Sequence, residues 1–414
     1  MEPAPPIPAR NVVICVVLLA ALYAAWIALV PNEPISDQKI YYDQAVRVAE
    51  GHGYVDDSGE PTAYWAPGYS FYLAGAFRIL GESYRSAFVA NLATAGALAL
   101  GVYALGKKLY GDRTAATAAL LTAAYPSIVF YTTVIASEIL FSALIVWSFY
   151  LVARSETERR WLPWAAAAGV ALGAASFTRP QAMILGLALL AWPGPWRNRA
   201  VRALVVSGFL FLTLVPWGLR NARELGGFVW VSRNAGHNLW IGNHPEATGG
   251  YEDFDRITRG FHLASEGLVA RDAHLQRLAQ EYIRSHPLEY LVLCAKRIGI
   301  TFRSESGGVA WNLVGLTHRF GPSSLVYFKT ITNTVYLGLC AFVVYALLRR
   351  RAARDGVPAD TFLFAVLLLL ALPSVLILGA SRFHLPMVPF AILFAASRWR
   401  AHTLSRALAP SPSC

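Results

Sequence analysis

Between Pro31 and Tyr69 the chain carries seven carboxylates in one polar stretch, PNEPISDQKIYYDQAVRVAEGHGYVDDSGEPTAYWAPGY, directly after an apolar run. Asp37 is the acid whose position suggests chemistry. It falls in the first turn of an expected helix, where the helix dipole keeps a carboxylate ionised. An ionised carboxylate just beyond a membrane exit suits a general base that takes a proton from an incoming hydroxyl or amine. Taken locally, however, an acid at a helix start reads first as a partner of the dipole. Asp43 lies on another face and reads as solvated or structural, and Asp56-Asp57-Ser58-Gly59 has ordinary turn chemistry. Glu138 follows Ser137 in an otherwise apolar segment, where a carboxylate costs roughly 2.5–3.5 kcal/mol at mid-span and less near the interface. Arg179, Arg220 and Arg382 stand at the ends of three further apolar segments. Each alone reads as an interfacial anchor, and a compact bundle can bring them together. His384, two residues beyond Arg382, reads alone as a satisfied structural histidine.

Other residue types carry weaker signals. Tyr64-Trp65-Ala66-Pro67-Gly68-Tyr69 re-enters the apolar phase, as an interfacial aromatic belt would. Asn234 to Thr248, with Asn238 and Asn243, lacks periodicity and reads as a loop, either solvent-facing or touching sugar or acceptor. His237, His244 and His262 have no metal-ligand spacing among themselves. Asp253, Asp255, Glu266 and Asp272 read as a solvated surface. Cys15, Cys294, Cys340 and Cys414 form no CxxC pair, so neither a disulfide framework nor a thiolate metal site is indicated.

The elements that position these groups are helices in a bilayer. Of 414 residues, 56% are hydrophobic and only 15% charged, which with repeated long apolar runs specifies an all-α polytopic membrane protein. The net charge of +11 is not a nucleic-acid signature, because nearly half of the Lys and Arg residues sit in short turns between apolar runs. Asn11–Val30 is longer than a signal-peptide core and lacks a cleavage site, so it reads as a retained first span. Further spans are expected near 86–105, 114–131, 135–153, 162–177, 181–196, 203–219, 325–348, 361–378 and 385–396, about ten in all. Ser36 is the expected cap and Gly51 and Gly53 the stop of a helix in the first loop, suited to lying in the interface plane. Gly68–Leu80 reads as a short helix resting on the bundle. Leu268–Arg284 reads as a soluble amphipathic helix, Pro287–Phe302 as a membrane-edge segment, and Ala409–Cys414 as a disordered tail. Every second turn is strongly basic: Lys107-Lys108 with Arg113, then Arg154 with Arg159 and Arg160, Arg197 with Arg199 and Arg202, Arg349-Arg350-Arg351 with Arg354, and Arg398 with Arg400. With those turns and both termini in the cytoplasm, the first loop and the 220–323 region share the outer face. The chain then divides into a seven-span catalytic module (1–220, including external loop 31–85), an external region (221–323) and C-terminal spans (324–414).

Taken in order, Asp37, Tyr42, Ala45, Gly51-x-Gly53, Ala66-Pro67-Gly68-Tyr69, Ser137-Glu138, Thr178-Arg179-Pro180, Pro216-Trp217-x-x-Arg220-Asn221, Gly236-His237-Asn238-Leu239-Trp240-x-Gly242-Asn243 and Arg382-Phe383-His384-x-Pro386 resemble the C-type glycosyltransferases of the protein mannosyltransferase and aminoarabinose transferase group. The resemblance covers about residues 11–400 and lies in the order of the motifs rather than in any one of them. It implies an inverting enzyme of the inner (plasma) membrane that moves a sugar from a polyprenyl-phosphate carrier to a lipid, glycan or protein acceptor on the extracytoplasmic face. Asp37 matches the family's essential acid and Glu138 its second acid, which can orient an arginine or Asp37, or bind a cation. Arg179, Arg220 and Arg382, with His384 assisting, are then expected on the carrier phosphate, because guanidinium forks suit its developing charge. Tyr42, Tyr64, Trp65, Tyr69, Asn238 and Asn243 are the expected substrate contacts. No organic cofactor is implied, and a divalent metal is left open. The chain departs from many relatives at Trp65-Ala66-Pro67, where they have two prolines and a basic residue. No soluble C-terminal domain is expected, so acceptor contacts are expected from the external loops. A transporter or flippase of lipid-linked sugars, or a non-catalytic relative that keeps the same fold, is the alternative. Transporters favour midplane charges on paired, broken helices, whereas here the charges gather at one face and no repeat is visible.

Overall fold

The computed structural model describes residues 9–259, 261, 267–353 and 358–408. His262, Glu266, Arg354 and the segment 409–414 lie outside them. The chain opens with α1 (Ala9–Leu29), followed by a surface pair, α2 (Asp37–Glu50) and α3 (Gly68–Leu80). Next come α4 (Tyr84–Tyr110), α5 (Asp112–Ala123), α6 (Pro126–Tyr131), α7 (Glu138–Thr157), α8 (Trp161–Thr178), a 3-10 segment (Pro180–Ala191) and α9 (Trp196–Glu224). The polar region holds α10 (Ala235–Gly242), α11 (Phe254–Ile257), α12 (Leu268–Ser285), α13 (Pro287–Phe302), α14 (Gly307–Trp311) and α15 (Leu313–Phe320). After α16 (Ser324–Ala353) and α17 (Pro358–Leu376), a 3-10 turn (Ser381–Met387) leads into α18 (Val388–Leu408). Among the described residues there is no strand, only an isolated bridge between Val55 and Pro61.

Among the described residues, five helices are long and apolar enough to cross a membrane: α4, α7, α9, α16 and α17. Shorter apolar helices cover Val13–Leu29 and Pro180–Ala191. Helices α4, α7, α8 and α9 pack side by side in succession, with α1 against α4 and α5. Small residues make the close approaches possible, as in membrane bundles generally. A side chain at Gly169 would sit 2.5 Å from the Val206 carbonyl, and one at Gly186 2.4 Å from Ser207 Oγ. Phe141, Phe149, Phe362 and Phe390 fill the interior, while Leu204 and Leu212 of α9 point outward, the arrangement that lipid surroundings require.

The bundle has two chemically distinct ends. At the C-terminal end of α7, Arg202 meets Glu156 at 2.7 Å and Lys108 Nζ donates to Thr157 Oγ1 at 3.2 Å. Arg398 and Tyr110 both reach Asp360 at the start of α17. The basic turns 107–113, 154–160 and 197–202 therefore share one end. Glu138 opens α7, so its surroundings, including α2 and the polar helices, occupy the other.

Several expectations need correction. The span expected over Thr114–Tyr131 is broken between α5 and α6. Pro126 forces Tyr125 into extended geometry (ψ 120°), since the residue before a proline is pushed out of helical space. The loop expected over Asn234–Thr248 contains α10. Its first-turn N–H groups at Gly236 and His237 donate to Asp272 Oδ1, at 2.8 and 3.1 Å. Asp272 is buried accordingly, not part of a solvated surface. Ser36 stands at the cap position of α2 without a capping bond and with φ 52°. The expected helices over 36–51, 68–80, 268–284 and 287–302 all form. Gly51 ends α2 in the left-handed conformation (φ 91°), which favours glycine.

Candidate active site

Two polar side chains pin the chain where it leaves α1. Asn32 Nδ2 donates to the carbonyls of Thr133 (2.7 Å) and Trp311 (3.3 Å). Gln38 donates to Trp311 O at 3.1 Å and accepts from Ile135 N–H at 3.0 Å. Both are buried, and Asp37 is held between them at the first position of α2. The preceding Ser36 is the sole non-glycine residue with positive φ among the described residues. Strain of about 1–3 kcal/mol at such a residue persists where surrounding contacts over-determine it, often at functional sites. Asn32 and Gln38 carry this positioning, and in the sequence their only signal was polarity beside a membrane exit.

Arg179 owes its place to the proline after it. Pro180 ends α8, and Arg179 adopts extended geometry (φ −149°, ψ 117°), which turns its side chain off the helix. Gly68, at the start of α3, lies so close that a Cβ would stand 2.6 Å from the Phe177 carbonyl carbon. Only a glycine lets the first loop settle on this end of α8. Arg179 Nη1 contacts Glu138 Oε1 at 2.7 Å and Ser137 Oγ at 3.3 Å. Glu138 is 2% exposed and occupies the N-terminus of α7, where the helix dipole favours a carboxylate.

Arg382, from the turn before α18, reaches Asp37 Oδ2 at 2.7 Å across 345 positions of sequence. Its guanidinium lies 4.9 Å from the Trp311 ring. The Phe383 ring is flanked by Arg382 at 5.6 Å and Arg179 at 5.4 Å. The result is a four-charge array, Asp37–Arg382 beside Glu138–Arg179. Burial alone would lower the Arg382 pKa, but the carboxylates of Asp37 and Glu138 outweigh it and hold the guanidinium above its usual value.

Tyr41, not Tyr42, completes the site. Burial raises the Tyr41 pKa, Arg179 lowers it, Glu138 and Asp37 raise it, and a bond with Ser137 lowers it, leaving it raised. Its hydroxyl therefore stays protonated among the charges. The Tyr41 ring meets Trp65 at 5.9 Å, and Tyr64 meets both Trp65 (5.4 Å) and His237 (5.5 Å). An aromatic row thus runs from the charged array to α10, which also carries Asn238. Tyr42 points elsewhere, with its hydroxyl on Glu82 at 3.2 Å and its ring on Tyr84 at 4.6 Å.

Other expected site residues have different tasks. Arg220 donates to the carbonyls of Thr62 (2.8 Å) and Tyr54 (2.9 Å), so its fork clamps the first loop instead of facing the array. Both ring nitrogens of His384 are engaged, with the Thr301 carbonyl at 2.7 Å and Glu305 at 2.6 Å, leaving neither for a phosphate. Tyr69 is buried and donates to Asn91 at 2.9 Å. Asn243 accepts from the buried Arg297 at 2.8 Å, inside the protein. Sequence reasoning missed Tyr41, Glu305 and Arg297, because one residue of helix rotation and long-range burial leave no local mark. Among the described residues no group of three or more His, Cys, Asp or Glu side chains is placed to hold a metal ion.

The sequence model of the family described as "Dolichyl-phosphate-mannose-protein mannosyltransferase" matches residues 64–217, a stretch that holds Glu138 and Arg179 but not Asp37 or Arg382. No curated protein matches the chain. The oligosaccharyltransferase of Archaeoglobus fulgidus in its apo form superposes with TM-score 0.58 at 15% identity, covering 97% of this chain and 52% of the other. The same organism's AglB, in complex with an inhibitory peptide and a dolichol-phosphate, gives TM-score 0.56 at 14% identity with 97% and 52% covered. ArnT from Cupriavidus metallidurans bound to undecaprenyl phosphate gives TM-score 0.43 at 14% identity, with 98% and 82% covered. The chain spans about half the length of the Archaeoglobus structures, and at these identities the likeness is one of fold. The chain therefore shares the oligosaccharyltransferase fold and, over residues 64–217, the mannosyltransferase family's sequence pattern, the C-type glycosyltransferase resemblance that its ordered motifs imply.

Proposed function

We propose that this protein is a membrane glycosyltransferase that moves a sugar from a polyprenyl-phosphate carrier to an acceptor on the extracytoplasmic face, with inversion. The observation that carries the reading is the joining of Asp37, Arg382, Glu138 and Arg179 at one end of the bundle, opposite the basic turns. The positive-inside rule assigns such turns to the cytoplasm, which supports an extracytoplasmic position for the array. The dolichol-phosphate held by the Archaeoglobus AglB supports the same class of carrier.

The reaction follows from the charges. Asp37 accepts the proton of the acceptor hydroxyl or amine, the freed electron pair attacks the anomeric carbon, and the bond from that carbon to the phosphate oxygen breaks. Its electrons remain on the departing polyprenyl phosphate, which gains one negative charge as Asp37 loses one. Arg382 is ion-paired to Asp37 beforehand and is released toward the phosphate when that carboxylate is neutralised. Arg179 supplies the second guanidinium, and preorganised donors of this kind need little rearrangement during reaction. Tyr41, Trp65 and Tyr64 offer ring faces to a sugar. The test is reconstitution of the full-length protein in nanodiscs with a panel of polyprenyl-phosphate sugars and envelope acceptors. Wild-type protein should release polyprenyl phosphate from one of them, and Asp37→Asn should not. Transfer by Asp37→Asn at the wild-type rate refutes the assignment of the base.

A further inference from the structure

Two buried polar atoms beside the array have no partner. Tyr131 is 1% exposed and its hydroxyl makes no hydrogen bond; Glu138 Oε1 takes Arg179 while Oε2 has none. The Tyr131 hydroxyl lies against Gly307, where a Cβ would stand 3.0 Å from it and 3.7 Å from Arg382 Cβ. Glu138, Glu305, Arg382 and Arg179 are the charges around it. A buried donor and a buried acceptor, each without a partner in the protein, incur desolvation with nothing in return unless a ligand or an ordered water supplies the bonds.

We propose that Tyr131 O–H and Glu138 Oε2 form a subsite that reads a hydroxyl or amino group on the sugar of the lipid-linked donor. The inference rests on the glycosyltransferase reading above. A sugar hydroxyl or amine can both donate to the carboxylate oxygen and accept from the phenol. A phosphate oxygen only accepts and is repelled by a free carboxylate oxygen, so the phosphate belongs to the guanidiniums. Among the described residues no group of three or more His, Cys, Asp or Glu side chains stands here as a cation site would need.

The test compares full-length wild type and Tyr131→Phe in nanodiscs, without acceptor. Binding is measured for bare undecaprenyl phosphate and for undecaprenyl-phosphate-linked mannose, glucose and 4-amino-arabinose, with thermal midpoints checking that the isosteric variant is folded. Wild type should discriminate among the sugars. Tyr131→Phe should keep its affinity for the bare carrier within about two-fold and weaken the preferred donor by about 3- to 10-fold, the loss of one hydrogen bond. Glu138→Gln should shift the same preference. Equal weakening of carrier and donor, no weakening of the donor, or a wild type that binds the carrier without discriminating sugars overturns the subsite alone. A wild type that binds no polyprenyl phosphate overturns the glycosyltransferase reading itself.

Discussion

Replacing Asp37 by Asn should cut transfer by orders of magnitude and, at the same time, tighten the grip on polyprenyl phosphate. In the resting protein Asp37 Oδ2 lies 2.7 Å from Arg382 Nη1, so an incoming phosphate competes with that carboxylate for the guanidinium. Two unit charges about 4 Å apart interact by roughly 4 kcal/mol at the effective dielectric of a protein surface. The side chains are 18% and 27% exposed, and solvent screening reduces the usable part to about 1–2 kcal/mol. The neutral amide of the Asp37→Asn variant would leave Arg382 free and also remove the repulsion between carboxylate and phosphate. The dissociation constant for undecaprenyl phosphate should therefore fall by about 5- to 30-fold, while loss of the general base lowers turnover by about 10²- to 10⁴-fold. Titration of nanodisc-embedded protein with undecaprenyl phosphate measures the first, and release of carrier from a donor measures the second. A variant that loses transfer yet binds the carrier no better, or binds it worse, shows that Arg382 is not the group the phosphate takes from Asp37.

Arg179→Ala should cost about 3–5 kcal/mol of stability because it strands a buried carboxylate, and Glu138 is 2% exposed. The double variant Arg179→Ala/Glu138→Gln should regain more than half of the lost thermal midpoint, and failure to regain any would mean that the pair is not what Arg179 stabilises. Tyr41→Phe should slow transfer by about 3- to 10-fold, whereas Tyr42→Phe, whose hydroxyl faces Glu82, should stay within about two-fold. Steady-state rates of the two variants decide between the neighbours. His237 is held at a pKa of about 4, below its usual 6.5, by burial and then by Arg271. Its unfolded form takes up the proton first, so its stability contribution is complete above pH 6.5 and is lost as pH falls toward 4. Thermal midpoints across that window should drop more for wild type than for His237→Gln.

The sequence by itself determined most of the helices, though not the break before Pro126 or α10, and the end of the bundle to which the four charged candidates belong. Apolar runs, the glycine after Glu50 and the proline after Arg179 act through local backbone energetics, which neighbours in sequence suffice to specify. Counting crossings between basic turns put Asp37, Glu138, Arg179 and Arg382 on one face. Tertiary structure alone decided which arginine answers which acid, because Asp37 and Arg382 meet across 345 positions and charge has no sequence period. It also decided that Tyr41 faces the array while its neighbour Tyr42 turns away, a rotation of about 100° per residue that α-helix geometry imposes. The same holds for Arg220, drawn to loop carbonyls, for His384, drawn to Glu305, and for Asp272, buried to cap α10. Each of these polar groups was free to serve a ligand or a backbone, and only the packing around it settled which partner satisfies it.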